Sequence, residues 1–158
     1  MVGIAIAVAL HVLAIVIWIG GVAMVTTVLL PAMRRFENPA EGLATFLKIE
    51  HRFAGQARAT TLLAAATGFY MVDRLGLWSS FARAGFWWLD AMVFVWVLFT
   101  VVLFVAEPFI LHPWLEGPAF DDPAHTLRLM QRLHWVMLTL SLITVLGAAA
   151  GSHGWSGL

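Results

Sequence analysis

The chain has no cysteine. That excludes disulfides, thiolate metal sites and iron–sulfur clusters, and it leaves six histidines as the nitrogen ligands of note. Charge is also scarce, at 11% of residues. Nine basic side chains balance nine acidic ones, so no global field points to nucleic acid or an acidic substrate. There is no polar low-complexity tract and no lipidation motif. The seven methionines are scattered without an MxxM cluster, which reads as packing rather than a soft-metal path. Anchoring and chemistry must come from apolar spans and a few polar side chains.

What is present is hydrophobic: 61% of residues, with a mean hydropathy of +0.89, excludes an ordinary soluble domain and predicts one membrane domain over residues 1–158. The first run, residues 2–30, carries no charge and stops at Pro31, Arg34 and Arg35. About 20 apolar residues cross the ~30 Å hydrocarbon layer, so this run spans it with turns to spare. Ala7, His11, Ala14, Trp18 and Gly21 recur at steps of three and four, which puts a histidine among small residues on one face. A cleaved signal peptide is the competing reading. The run lacks a basic n-region and is about twice a normal h-region, so a retained span is expected.

Further helices follow from cap signals. Asn38 as N-cap, Pro39 at the first position and Glu41 closing a capping box start a helix to about Arg74, roughly 54 Å long. Its first turns, with Glu41, Lys48, Glu50, His51 and Arg52, belong at the interface, and residues 60–72 cross with Ala64 and Gly68 as a small-xxx-small contact. Residues 73–85 read as a surface loop, and Trp87 and Trp88 mark re-entry at headgroup level. A third span over about 87–106 ends at Glu107 and Pro108, and Glu116 to Asp122 forms a turn. Asp122 and Pro123 open the fourth helix, which crosses over about 133–150 and carries Gly147 and Gly151 as a GxxxG. The expected fold is all-α, an integral membrane four-helix bundle.

Arg34, Arg35, Lys48, Arg52, Arg128 and Arg132 gather beside one surface, and only Arg74 and Arg83 beside the other. The first surface is expected to be cytoplasmic, with both termini outside, in a bacterial inner membrane. The segments NPAEGLATFLKIEH and DPAHTLRLMQRLH form a weak repeat, each with a cap, a proline, an alanine and a later histidine. Two helical hairpins of the same sense result, a parallel repeat that sets His51 and His134 at nearly equal height.

A b-type haem between helices needs facing imidazoles at similar depth and cations for its propionates. His51 and His134 are the expected axial ligands, with Arg52, Arg58, Arg128 and Arg132 near the propionates. Gly55 leaves room for the macrocycle, and Leu138, Ser141, Val145 and Ala148 line its face. The bland reading is that these are solvated interfacial histidines or interhelix hydrogen-bonders. His11 lies about 23 residues, roughly 34 Å, before Arg34 and cannot share an iron with His51. It either ligates a second haem or metal, with Tyr70, Met71 or a subunit partner opposite, or bonds between helices. His112 is a weaker ligand candidate, His125 a solvated first-turn residue, and His153 part of an unstructured tail. Arg58 and Glu107 sit at comparable depth, and an ion pair is preferred over a propionate contact for Arg58. Asp90 is a boundary residue or an outer proton group.

The segment LHVLAIVIWIGGVAMVTTVLLPAMRR, with His11, a Trp-x-Gly-Gly and a closing Pro-x-x-Arg, resembles the opening helix of the copper-resistance protein D (CopD)-like membrane family. It is also distantly similar to HemJ-type protoporphyrinogen oxidases, whose first helix carries a comparable His and Trp-x-x-Gly. The HemJ likeness implies haem binding at His11 and a third-helix lysine needed for activity; here span three has no lysine, and Asp90 stands instead. The CopD likeness implies copper handling. The expectation is a dimeric haem b protein of the bilayer that transfers electrons to or from a quinone or small oxidant. A copper-transport protein, a porphyrinogen oxidase and a non-catalytic assembly subunit held by Gly147 and Gly151 remain as alternatives.

Overall fold

A computed structural model describes residues 2–115 and 117–154, with the side chain of His112 excepted, so Glu116 of the expected turn and the ligand candidacy of His112 lie outside the described residues. The described residues are helical apart from short turns and loops, with no strand among them. Among the described residues three helices are long and apolar enough to cross a membrane: α1 (Val2–Met33), α3 (Ala84–Leu111) and α4 (Pro123–Ser152). The 36-residue α2 (Pro39–Arg74) is long enough but is interrupted by charge, and it stands outside that set by composition.

The helix starts follow the cap chemistry. Asn38 accepts the Ala40 amide at 3.0 Å, and Asp122 accepts the His125 amide at 2.9 Å. The capping box at α2 does not close on the backbone as expected: Glu41 accepts from the Asn38 side-chain amide at 3.3 Å instead. Gly76, at φ +66°, stops α2 in the left-handed region, where a side chain would be strained. In the following loop Ala82 also takes a positive φ, 59°, and its amide donates to the Asp90 carboxylate at 3.2 Å. Asp90 therefore holds a strained turn.

Two stretches widen into π-helical turns, Val25–Leu29 in α1 and Val102–Leu111 in α3, and each has a proline at or just beyond it, Pro31 and Pro108. A proline lacks an amide and its ring crowds the carbonyl four residues back, so the local ladder slips to a wider register. In α1, Thr26 and Thr27 donate hydroxyl bonds to the carbonyls of Val22 and Ala23, one turn back.

Packing is antiparallel along α1 and α2, from Tyr70 against Gly3 to Phe53 against Gly21, where a Cβ would overlap the phenyl ring. Trp18 meets Phe99 edge-on at 4.8 Å, and the Trp96 indole donates to the Thr61 carbonyl at 3.3 Å, which ties α3 to α1 and α2. The GxxxG of α4 is filled from within the chain: Trp87 lies on Gly147 and Trp88 on Gly151. One core, around Trp18, Ala57, Ala64, Phe99 and Leu138, occupies the middle, and a second, around Leu30, Leu43, Phe46 and Leu127, closes the end carrying Arg34, Lys48 and Arg128, here the basic end. Outward faces are apolar, with Val16, Phe94 and Leu146 more than half exposed, as lipid-facing helices require.

Candidate functional site

Near the basic end, α2 and the last part of α3 border a cleft of about 380 Å³. Its walls are Ala44, Leu47, Lys48, Glu50, His51 and Arg52 from α2, with Glu107 and Leu115 opposite. Ala44, Leu47, Lys48 and His51 recur at steps of three and four, so one helix face delivers an imidazole, a cation and apolar wall together. Gly55, one turn beyond His51 on that face, has nothing within 4 Å of where a Cβ would stand. His51 and Arg52 are both exposed.

Glu107 is fixed by Arg58, whose guanidinium pairs with the carboxylate while its Nε–H donates to the Leu103 carbonyl at 3.0 Å. The ion pair between α2 and α3 is thus present. Arg58 is committed to it, so the propionate role expected of Arg58 is replaced by a structural one.

The expected pairing of His51 with His134 is not assembled. The His134 ring meets Phe46 edge-on at 6.4 Å, and its Nδ1–H donates to the Met130 carbonyl at 2.9 Å. Phe46 and His51 are five residues apart on α2, about 7 Å along the axis but about 140° around it. His134 therefore meets α2 on a face other than the one that carries His51. His134 does not line the His51 cleft. The stripe meant for a porphyrin is likewise used elsewhere: Leu138 and Ser141 are buried, Leu138 within the middle core, and the Ser141 hydroxyl donates to Met137. Arg132 is exposed and lines neither that cleft nor a smaller one bordered by Arg128.

His11 bonds between helices. Its Nδ1–H is shared by the Ala64 carbonyl and the Thr67 hydroxyl, each at 3.0 Å, and the hydroxyl itself donates to Leu63 at 2.7 Å. The ring edge lies against Gly68, 3.2 Å from where a Cβ would stand, so Gly68 is the space His11 fills. At both His11 and His134 a backbone carbonyl fixes the Nδ1–H tautomer, which leaves Nε2 as the lone-pair nitrogen. His153 is ordered at the helix end rather than in a loose tail, and its Nδ1–H donates to the Ala149 carbonyl at 2.8 Å.

The donor set of the cleft fits part of the haem expectation. One imidazole, two nearby cations and apolar walls answer part of that donor set, while Glu50 and the Arg58-paired Glu107 add carboxylates to the same lining. They do not supply two facing imidazoles. Among the described residues no group of three or more histidines and carboxylates is arranged to hold a metal ion, which leaves the copper alternative without a formed site. Comparison with known proteins found no family model, no curated protein and no solved structure that the chain matches. Lys48 and Glu107 were missed as members of the site; the spacing of Ala44, Leu47, Lys48 and His51 was the available signal.

Proposed function

We propose that the chain is an integral membrane protein of four spans that binds haem b at its basic end and exchanges electrons with a quinone or small oxidant. The observation that carries the reading is the His51 cleft, in which an accessible imidazole stands beside Lys48 and Arg52 against an apolar wall. Haem supplies reversible one-electron chemistry once bound. In this reading the His51 imidazole is the axial nitrogen donor, and Lys48 and Arg52 neutralise the propionates. Arg58 keeps the Glu107 carboxylate turned toward its own guanidinium, so that the cleft presents less free negative charge.

Four crossings are supported by the pairing of α2 with α1. Their contacts run from Gly3 to Gly21, about 27 Å of helix, close to the hydrocarbon thickness, so α2 accompanies α1 through the depth α1 crosses. The charges of α2 then lie at its two ends, Asp73 and Arg74 at the far one, except for Arg58, which is paired, and the positive-inside rule assigns the more basic end to the cytoplasm.

The test is the absorption spectrum, oxidised and reduced, of full-length protein expressed with ample haem. A Soret band that is lost or shifted in His51→Ala and unchanged in a surface control such as Arg83→Gln is the expected result. Purified wild-type protein without a Soret band overturns the proposal.

A further inference from the structure

The last turn of α1 and the first turns of α2 and α4 enclose a smaller cleft of about 110 Å³ at the same end. Arg34 and Arg128 stand on its walls, with Met33, Pro39, Ala124 and Leu127. Both arginines are exposed at its rim, and two like charges bordering so small a space favour an anion between them. Among the described residues neither one pairs with a carboxylate. Of the acids at the two helix starts, Asp122 accepts the His125 amide and Glu41 accepts from Asn38, while Glu37 and Asp121 are exposed and do not line the cleft.

The backbone adds to the same preference. The Ala124 amide has no acceptor among the described residues, and Pro39 and Ala124 belong to the opening turns of two long helices whose positive dipole ends meet here. The space suits one tetrahedral oxyanion, for which the arginine fork is well matched, and is too small for a nucleotide or a macrocycle. Further along α1 and α4, outward apolar faces that include Val28 and Leu133 run from this end toward the bilayer, which gives acyl chains a surface beside the cleft.

We propose that this cleft holds the phosphate of an anionic membrane lipid, gripped between Arg34 and Arg128. It is separate from the His51 cleft and does not depend on haem binding.

The test uses the full chain in uncharged detergent, titrated with short-chain phosphatidylglycerol and followed by thermal unfolding. A saturable rise in Tm is expected, with half-saturation moved up about tenfold or more in Arg34→Gln/Arg128→Gln. The charge-matched pair Arg74→Gln/Arg83→Gln, from the opposite end, should titrate like wild type. Should the glutamine pair not fold, Arg34→Lys/Arg128→Lys keeps the charge but loses the planar fork, and a several-fold weakening is expected. A parallel titration with inorganic phosphate separates the sources: free phosphate that saturates the response in the same concentration range and displaces the lipid overturns the lipid assignment. No saturable response to either probe, or an unchanged response in both arginine pairs, overturns the site itself.

Discussion

The side-chain amide of Gln131 donates to the carbonyl of Thr26 at 2.6 Å. In the five-residue register of that turn, where the Leu30 amide reaches Val25, the next amide would reach Thr26, and it belongs to Pro31. Gln131 supplies from α4 the hydrogen that the proline lacks. The arrangement recurs in α3, where the amide due to the Leu103 carbonyl would come from Pro108 and the bond comes instead from Arg58 of α2. Each proline opens a carbonyl inside an apolar helix, and a long polar side chain from a neighbouring helix closes it.

Replacing Gln131 by leucine should destabilise the protein by about 1–2 kcal/mol, the cost of an unpaired buried carbonyl. The lower part of the usual range applies because Gln131 also carries a buried Oε1 without a partner, and that liability leaves with it. Adding Pro31→Ala returns an amide to Thr26, so the double variant should recover part of the loss in Tm measured in detergent. Simple addition of two losses would refute the account.

Arg58→Met and Glu107→Gln should each cost on the order of 2 kcal/mol, with Arg58→Met the worse by about 1 kcal/mol because it also strips the Leu103 carbonyl. The figures are kept modest because the Arg58 side chain is 32% exposed. Arg58→Met/Glu107→Gln should lose less than the sum, since no charge is then left unpaired. A thermal-unfolding double-mutant cycle reads this coupling directly.

Much of this architecture is legible in the residues. Asn38, Pro39, Asp122 and Pro123 mark the starts of α2 and α4, and Arg58 and Glu107 pair as their depths suggest. What is not legible is rotation. Residue counting gives position along a helix axis, but the face each helix turns to its neighbours is set by packing of the whole set, here by Trp18 on Phe99 and Phe53 on Gly21. The π turns are hidden for a related reason: Pro31 and Pro108 announce a disturbance, while its form depends on which neighbour reaches the freed carbonyl. In composition, α2 reads as the least apolar of the four, and its run beside α1 emerges only from contacts.

Gly147→Ala and Gly151→Ala should each destabilise by about 1–3 kcal/mol, because a methyl group at either position overlaps an indole ring. Trp87 and Trp88 are partly exposed, so some of the overlap can relax and the lower values are expected at first substitution. The oligomeric state, read by light scattering with detergent subtracted, should not change. A variant of normal Tm that alters only self-association would restore these glycines to the assembly role.

The sharpest contrast lies between His51 and His134, the two histidines at matching places in the sequence repeat. His134 spends its Nδ1–H on the Met130 carbonyl and presses edge-on against Phe46, while His51 opens onto the cleft shared with Lys48 and Arg52. In haem-loaded protein His134→Ala should therefore lower Tm through lost packing, by about 1–2 kcal/mol in stability, with the Soret maximum and reduced bands unmoved. Lys48→Gln/Arg52→Gln should leave the band positions in place but speed haem transfer to an apo-globin acceptor several-fold, because propionate charge is no longer neutralised. A band shift in His134→Ala together with an unaltered His51→Ala would move the iron to the opposite face of α2, beside Phe46.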